Sequence, residues 1–263
     1  MNKNNNKSST ENEGRMSFWD HLEELRWRLI KSIIAVLVAS ILGWVFADKF
    51  LYLLQHPVKL LPQIFTYTVP ELHKIMPLEE IWVYLKLALV AGIFIGFPII
   101  FYQMWAFVSP GLYEHEKKYV LPYCVIAWIC FIVGAIFAYL IIMPAIITFL
   151  YGSTNSEIIS TWSMKGFINL MLIMFVMFGF SFDLPIVFFL LMKLGIVTPE
   201  SLARKRPYYI VVFFIIAAIV TPTVDPVTQS LMAGPMILLF EVSIILGRIM
   251  GIKEPKSNEE MNK

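Results

Sequence analysis

Six stretches of this chain are long and apolar enough, or nearly so, to cross a membrane: residues 29–47, 80–108, 120–150, 166–192, 207–221 and 227–247. A helix needs about 20 predominantly apolar residues, rising about 1.5 Å each, to cross about 30 Å of hydrocarbon. Hydrocarbon offers no water to backbone donors and acceptors, so each such segment must bond its own backbone as a helix. The sequence therefore predicts an all-α polytopic membrane protein with six transmembrane helices. Composition agrees, at 58% hydrophobic and 15% charged, against roughly 45–50% and 25% in soluble domains. No internal repeat is visible, which argues against an inverted-repeat transporter.

Positive charge sets the expected orientation, because cytoplasmic loops collect Lys and Arg. Of the 21 Lys and Arg, sixteen fall in the segment up to Lys31, in the loops at 109–119 and 193–206, and after residue 247. The opposite side holds only Lys49, Lys59, Lys74 and Lys165, and Lys86 lies within the second apolar stretch. Both termini and the 109–119 loop are thus expected on the cytoplasmic side. Residues 1–16 are polar and Asn-rich, as a disordered tail is. Residues 17–250 form one membrane domain, and 251–263 a cytoplasmic tail. No basic start followed by a short apolar core and a small-residue cleavage site is present, so the first span is expected to be retained.

Several local features shape the bundle. Residues 17–31, SFWDHLEELRWRLIK, read as an amphipathic helix at the cytoplasmic interface, opened by a capping box of Ser17 and Asp20. Phe18, Leu22, Leu25 and Leu29 share one face, while Glu24 and Arg28 are four apart on another and can pair. Residues 48–79 form a long outer loop, punctuated by Pro57, Pro62, Pro70 and Pro77. Pro98, Pro122, Pro144 and Pro185 fall in or near spans and favour kinks, which predicts a curved bundle with a concave face. Only 14 residues separate Pro207 from Pro222, about 21 Å of helix, and the last two spans look short.

Charge inside the spans is rare and costly. Lys86, Asp183 and Glu241 lie within apolar sequence, and Asp225 sits in the TPTVDP turn. An internal ion pair is the structural explanation for Lys86, and a helix cap for Asp225. Asp183 has no local basic partner, which points to a groove or a partner helix. Enzyme chemistry is poorly supported. His21, His56, His73 and His115 are scattered, and no HExxH, P-loop or GxSxG pattern is present. Cys124 and Cys130 lie in one apolar stretch and read as small buried residues. A net charge of +2 does not suggest nucleic acid, and no cofactor or metal site is indicated.

The turn after the second span carries Glu114, His115 and Glu116 within FPIIFYQMWAFVSPGLYEHEKK. With HLEELRWRL, FSFDLP, KRPYYIVVFFIIAAIVTP and DPVTQSLMAGPMILLFE, in that order over residues 17–250, this stretch resembles the TatC family. That family is the multispanning subunit of the twin-arginine protein translocase. The resemblance implies a receptor for signal peptides bearing two consecutive arginines. It also implies TatA- and TatB-like single-span partners, a homo- or hetero-oligomer in contact with membrane lipids, and export of folded proteins powered by an energised membrane. It assigns signal-peptide contacts to Glu24 and Glu116, with Arg26 and Pro98 matching the motifs. Asp183 stands where the family usually has Glu, and Asp225 matches an outer Asp in a turn one residue longer. The membrane would be a bacterial cytoplasmic one first and a thylakoid one second. A carboxylate meets a planar guanidinium with two parallel hydrogen bonds, which a lysine cannot reproduce. The competing function is a proton-coupled small-solute transporter using Asp183, Lys86 and Asp225 as a relay.

Overall fold

The computed structural model describes residues 18–55, 72–108, 120–152, 162–193, 195–220 and 225–251. Five helices there are long and apolar enough to cross a membrane. They are α1 (Phe18–Val45), α3 (Glu79–Val108), the run through α4 (Val120–Phe137) and α5 (Met143–Gly152), α6 (Met164–Lys193) and α9 (Pro226–Ile249). Short α2 (Ala47–Gln55) follows α1, and α7 (Pro199–Arg204) precedes α8 (Arg206–Val220). The chain is an integral, multi-pass membrane protein. Its expected fifth span is α8, whose 15 residues reach only about 22 Å. Its expected sixth is not short: α9 has 24 residues, about 36 Å of helix.

Residues 18–31 are helical as expected, and they continue without a break into the first apolar stretch, since α1 runs from Phe18 to Val45. No Pro or Gly interrupts it before Gly43, and straight-chain residues carry the helix across the junction. Leu22, Leu25 and Leu29 face outward, at 40–57% exposure, while Glu24 and Arg28 turn toward α3. The side chains of the expected capping box, Ser17 and Asp20, lie outside the described residues.

Small residues set the close approaches. A Cβ on Gly92 of α3 would collide with the Ser40 hydroxyl and Val36 carbonyl of α1, and one on Gly134 of α4 with the Phe178 carbonyl of α6. Between lipid-embedded helices, dispersion at such contacts replaces the hydrophobic drive available in water. α1 packs antiparallel on α3, α6 lies between α3, α4 and α9, and α8 packs on α9. Phe97, Phe101 and Trp105 of α3 are buried with Cys124, Ala127 and Phe131 of α4. The Phe97 and Phe131 rings stack at 4.1 Å. Both cysteines are free.

Proline has unequal effects. Pro98, Pro185 and Pro235 lie inside helices that continue through them. Ahead of Pro144 the backbone widens into a π-turn at Ala138–Ile142. Pro144 lacks the N–H for an i→i−4 bond and its ring crowds that carbonyl, so one wider turn absorbs the mismatch.

The end of the bundle remote from residue 18 is tied by hydrogen bonds. Leu72–His73 (β1) pairs in parallel with Trp162–Ser163 (β2). The buried Glu79 accepts from the backbone N–H of Ile75 at 2.9 Å and of Met76 at 3.3 Å through Oε2. Its Oε1 accepts from Ser163 Oγ at 2.7 Å and from the Lys165 N–H. One carboxylate thus joins the starts of α3 and α6.

Candidate functional site

The other end carries the expected ligand site. Antiparallel packing brings His21, Glu24 and Arg28 of α1 beside Gln103 and Phe107 of α3. Arg28 donates to Glu24 Oε1 through Nε at 2.8 Å and through a terminal nitrogen at 2.5 Å. Its other terminal nitrogen donates to Gln103 Oε1 at 3.3 Å. The His21 ring stacks on Phe107 with centroids 4.1 Å apart, and its Nδ1 lies 3.8 Å from Glu24 Oε2. That separation is too long for a hydrogen bond.

The Glu24 carboxylate is therefore divided. Oε1 is filled by Arg28, whereas Oε2 is buried and accepts no hydrogen bond among the described residues. A buried acceptor without a donor is costly, and a cationic donor is the partner that would relieve it most. Arg26 is exposed on the same helix. Glu116 lies outside the described residues, in the segment that follows the end of α3.

Pro98 is half-buried in mid-α3. The apolar run around it is divided by helical spacing: Phe97, Phe101 and Trp105 are core, while Ile95, Ile99 and Tyr102 are 47–48% exposed. Among the described residues of this run, that second stripe and Met104 are exposed apolar surface.

The remaining polar residues lie apart from this site. Asp183 is 3% exposed, and neither carboxylate oxygen has a hydrogen-bond partner among the described residues. Lys86 does not form the expected pair with an acid: its amine donates to Asn169 Oδ1 of α6 at 2.6 Å. Glu241 of α9 does have an internal ion pair, with Arg206 of α8 at 2.7 Å. Asp225 caps α9, accepting from the Thr228 N–H at 2.7 Å. Asp183, Lys86 and Asp225 share no hydrogen bond or ion pair among the described contacts, as a relay would require. No group of three or more His, Cys, Asp or Glu suited to a metal occurs among the described residues.

Sequence reasoning missed Glu79, Gln103 and Asn169. Glu79 had a faint signature, an acid in the first helical turn after Pro77. The two amides had none, because each acts through a residue more than 70 positions away.

The fold and site define a multi-pass helical membrane protein with a polar cluster of His21, Glu24, Arg28 and Gln103 at one end of its first two long helices. The family model for the Sec-independent protein translocase protein (TatC) matches residues 20–235. The TatC protein of Aquifex aeolicus is 40% identical over 236 residues, covering 89% of this chain and 95% of that protein. The TatC protein of Escherichia coli K12 is 34% identical, covering 87% and 86%. A crystal structure of the twin-arginine translocase receptor TatC superposes with a TM-score of 0.77 at 40% identity, covering 88% of this chain and 99% of that one. This chain belongs to the TatC family of Sec-independent protein translocase proteins.

Proposed function

We propose that this protein is the receptor for twin-arginine signal peptides and the core subunit of a translocase that carries folded proteins across an energised membrane. The observation that carries this reading is the half-filled carboxylate of Glu24. Arg28, itself bonded to Gln103, holds the side chain, and the unfilled Oε2 lies near the end of α3 from which the segment bearing Glu116 departs. Each carboxylate takes one guanidinium of the signal. Arg26 serves as a further polar contact, and the exposed stripe beside Pro98 supports the signal's apolar stretch. This reading places both termini on the cytoplasmic side, counts α8 as a sixth, thinned span and gives the bundle a concave face.

Asp183 serves a different step in the same reading. An ionised acid costs about 2.5–3.5 kcal/mol at a helix centre on insertion scales, and more when unpaired. A TatA- or TatB-like helix docking at α6 supplies the missing donor once α6 parts from its neighbours, because Asp183 is closed into the bundle. Crosslinking a single-span partner to α6 tests this: an unchanged contact and unchanged export in Asp183→Ala would sink the docking role. Lys86, Asp225 and Glu241 support the bundle that this docking requires. The membrane potential or proton gradient supplies the energy.

The receptor reading is tested by pull-down with a folded cargo bearing Arg-Arg or Lys-Lys. Preferential recovery of the Arg-Arg cargo is expected, and equal recovery would return the transporter reading.

A further inference from the structure

The end that carries β1 and β2 holds positive charge unused by signal recognition. Lys86 lies seven residues, about 10 Å, inside α3. An ammonium has three donors and is costly at membrane depth without an anion. Lys86 has one amide acceptor, Asn169, and no ion pair with a described acid. One helical turn nearer the bundle end, Trp82 precedes Lys86 on α3 and Lys165 precedes Asn169 on α6, each by four positions and on the same face. Trp82 and Lys165 line a crevice of about 290 Å³ with Ile75, Met76 and Leu78. Trp82 is 54% exposed.

Neither neighbouring acid at this end, Glu79 or Glu80, forms an ion pair with these lysines, although the Glu79 carboxylate keeps its charge beside Lys165. Glu79 also lines the crevice, but both its oxygens accept from Ser163 and three backbone N–H groups. Glu80 is paired with Lys74 at 2.6 Å. The α3–α6 seam thus carries two lysines, Lys86 on α3 and, one turn nearer the bundle end, Lys165 on α6, the latter sharing its crevice with Trp82. It is flanked by apolar surface, since Leu85 and Leu89, on either side of Lys86 along α3, are 50% and 44% exposed.

We propose that this seam binds the phosphate of an anionic phospholipid from the leaflet at that end, held by Lys86 and Lys165 with Trp82 at the headgroup boundary. Basic pockets between membrane helices take anionic headgroups, and tryptophan settles at the same level. The apolar flank selects a lipid over a free anion. A dissolved phosphate must leave water to reach Lys86, whereas a phospholipid already places its phosphate at the interface and its chains over Leu85 and Leu89. Deeper along the same helix pair, Leu87 and Val90 of α3 and Leu172 and Phe175 of α6 help line an almost wholly apolar cavity of about 180 Å³. Its chemistry suits a hydrocarbon chain. This assignment stands independently of the signal-peptide reading.

The test is native mass spectrometry of the full chain released from vesicles of phosphatidylglycerol and phosphatidylcholine. The wild type is expected to retain phosphatidylglycerol selectively, and Lys86→Gln with Lys165→Gln to lower retention by about tenfold. Lys165→Gln alone, at an exposed position, lowers it severalfold without endangering the fold. Lys86→Arg keeps it, and Arg248→Gln at the opposite end leaves it unchanged. Equal retention by wild type and double variant would overturn the proposal, as would equal retention of phosphatidylcholine or equal loss in Arg248→Gln. Displacement of the bound lipid by inorganic phosphate would reassign the seam to a free anion and overturn the lipid assignment.

Discussion

Glu24 and Glu79 stand at opposite ends of the bundle and share a side chain but not a bonding state. Glu79 is buried, with both oxygens filled by a hydroxyl and three backbone N–H groups. Glu24 has one oxygen filled by Arg28 and the other buried without a hydrogen-bond donor among the described residues. A saturated carboxylate fixes structure, because any added ligand must displace a bond already made. A half-saturated one is held in place yet retains an acceptor for a cation. The difference lies in the donors that each end supplies, not in the residue.

The largest expected change breaks the ligand end alone. Glu24→Gln with Glu116→Gln should lower photo-crosslinking to a twin-arginine signal by at least about tenfold, since charge-assisted bonds contribute about 1.5–3 kcal/mol each. The inserted fraction and the thermal midpoint should stay near wild type. Normal crosslinking in that double variant would remove Glu24 and Glu116 from the site.

Glu79→Gln should do the reverse. An amide offers a single acceptor oxygen where the carboxylate used two, so the starts of α3 and α6 loosen. The thermal midpoint should fall by several degrees and protease should cut sooner near residues 72–79, while signal crosslinking persists. A loss of crosslinking with no loss of stability would erase the contrast between the ends.

Arg28→Gln sharpens the comparison. It removes the donors that fill Glu24 Oε1 and frees the carboxylate to rotate. The ratio of Arg-Arg to Lys-Lys signal binding should drop severalfold, and Arg28→Lys should restore only part of it, because lysine lacks the fork. An unchanged ratio in Arg28→Gln would show that Arg28 does not orient Glu24.

The smallest effect is expected at Asp225, which resembles Glu79 in being bonded within the chain. Asp225→Ala removes a helix cap, a loss of about 1 kcal/mol, or roughly 2–4 °C in midpoint for a chain of this size. Asp225→Ser should recover most of it, and signal binding measured by crosslinking should not move. A defect in signal binding with the cap restored would give Asp225 a role beyond capping.

Much of the bundle was legible in the chain. The apolar stretches at 80–108, 120–150, 166–192 and 227–247 fall within two or three residues of the helices found, because hydrocarbon imposes one length and one backbone pattern. Glu24 and Arg28 could be paired from their spacing, since i and i+4 are neighbours on any helix. Asp225 could be read as a cap for a similar local reason. The π-turn before Pro144 was less legible: proline announces a distortion but not whether a kink, a wider turn or an unbroken helix will absorb it.

Sequence by itself determined what depends on solvent and local geometry: a helical membrane protein, its long spans, the α1 ion pair and the family to which it belongs. Tertiary structure alone decided the partners across helices. It gave Lys86 an amide rather than an acid, paired Glu241 with Arg206, and filled Glu79, while among the described residues it left Asp183 closed into the bundle without a donor and half of Glu24 unfilled. These outcomes depend on which faces of distant segments meet, and at what register. A periodic apolar pattern specifies the inside of each helix but not the neighbour placed against it.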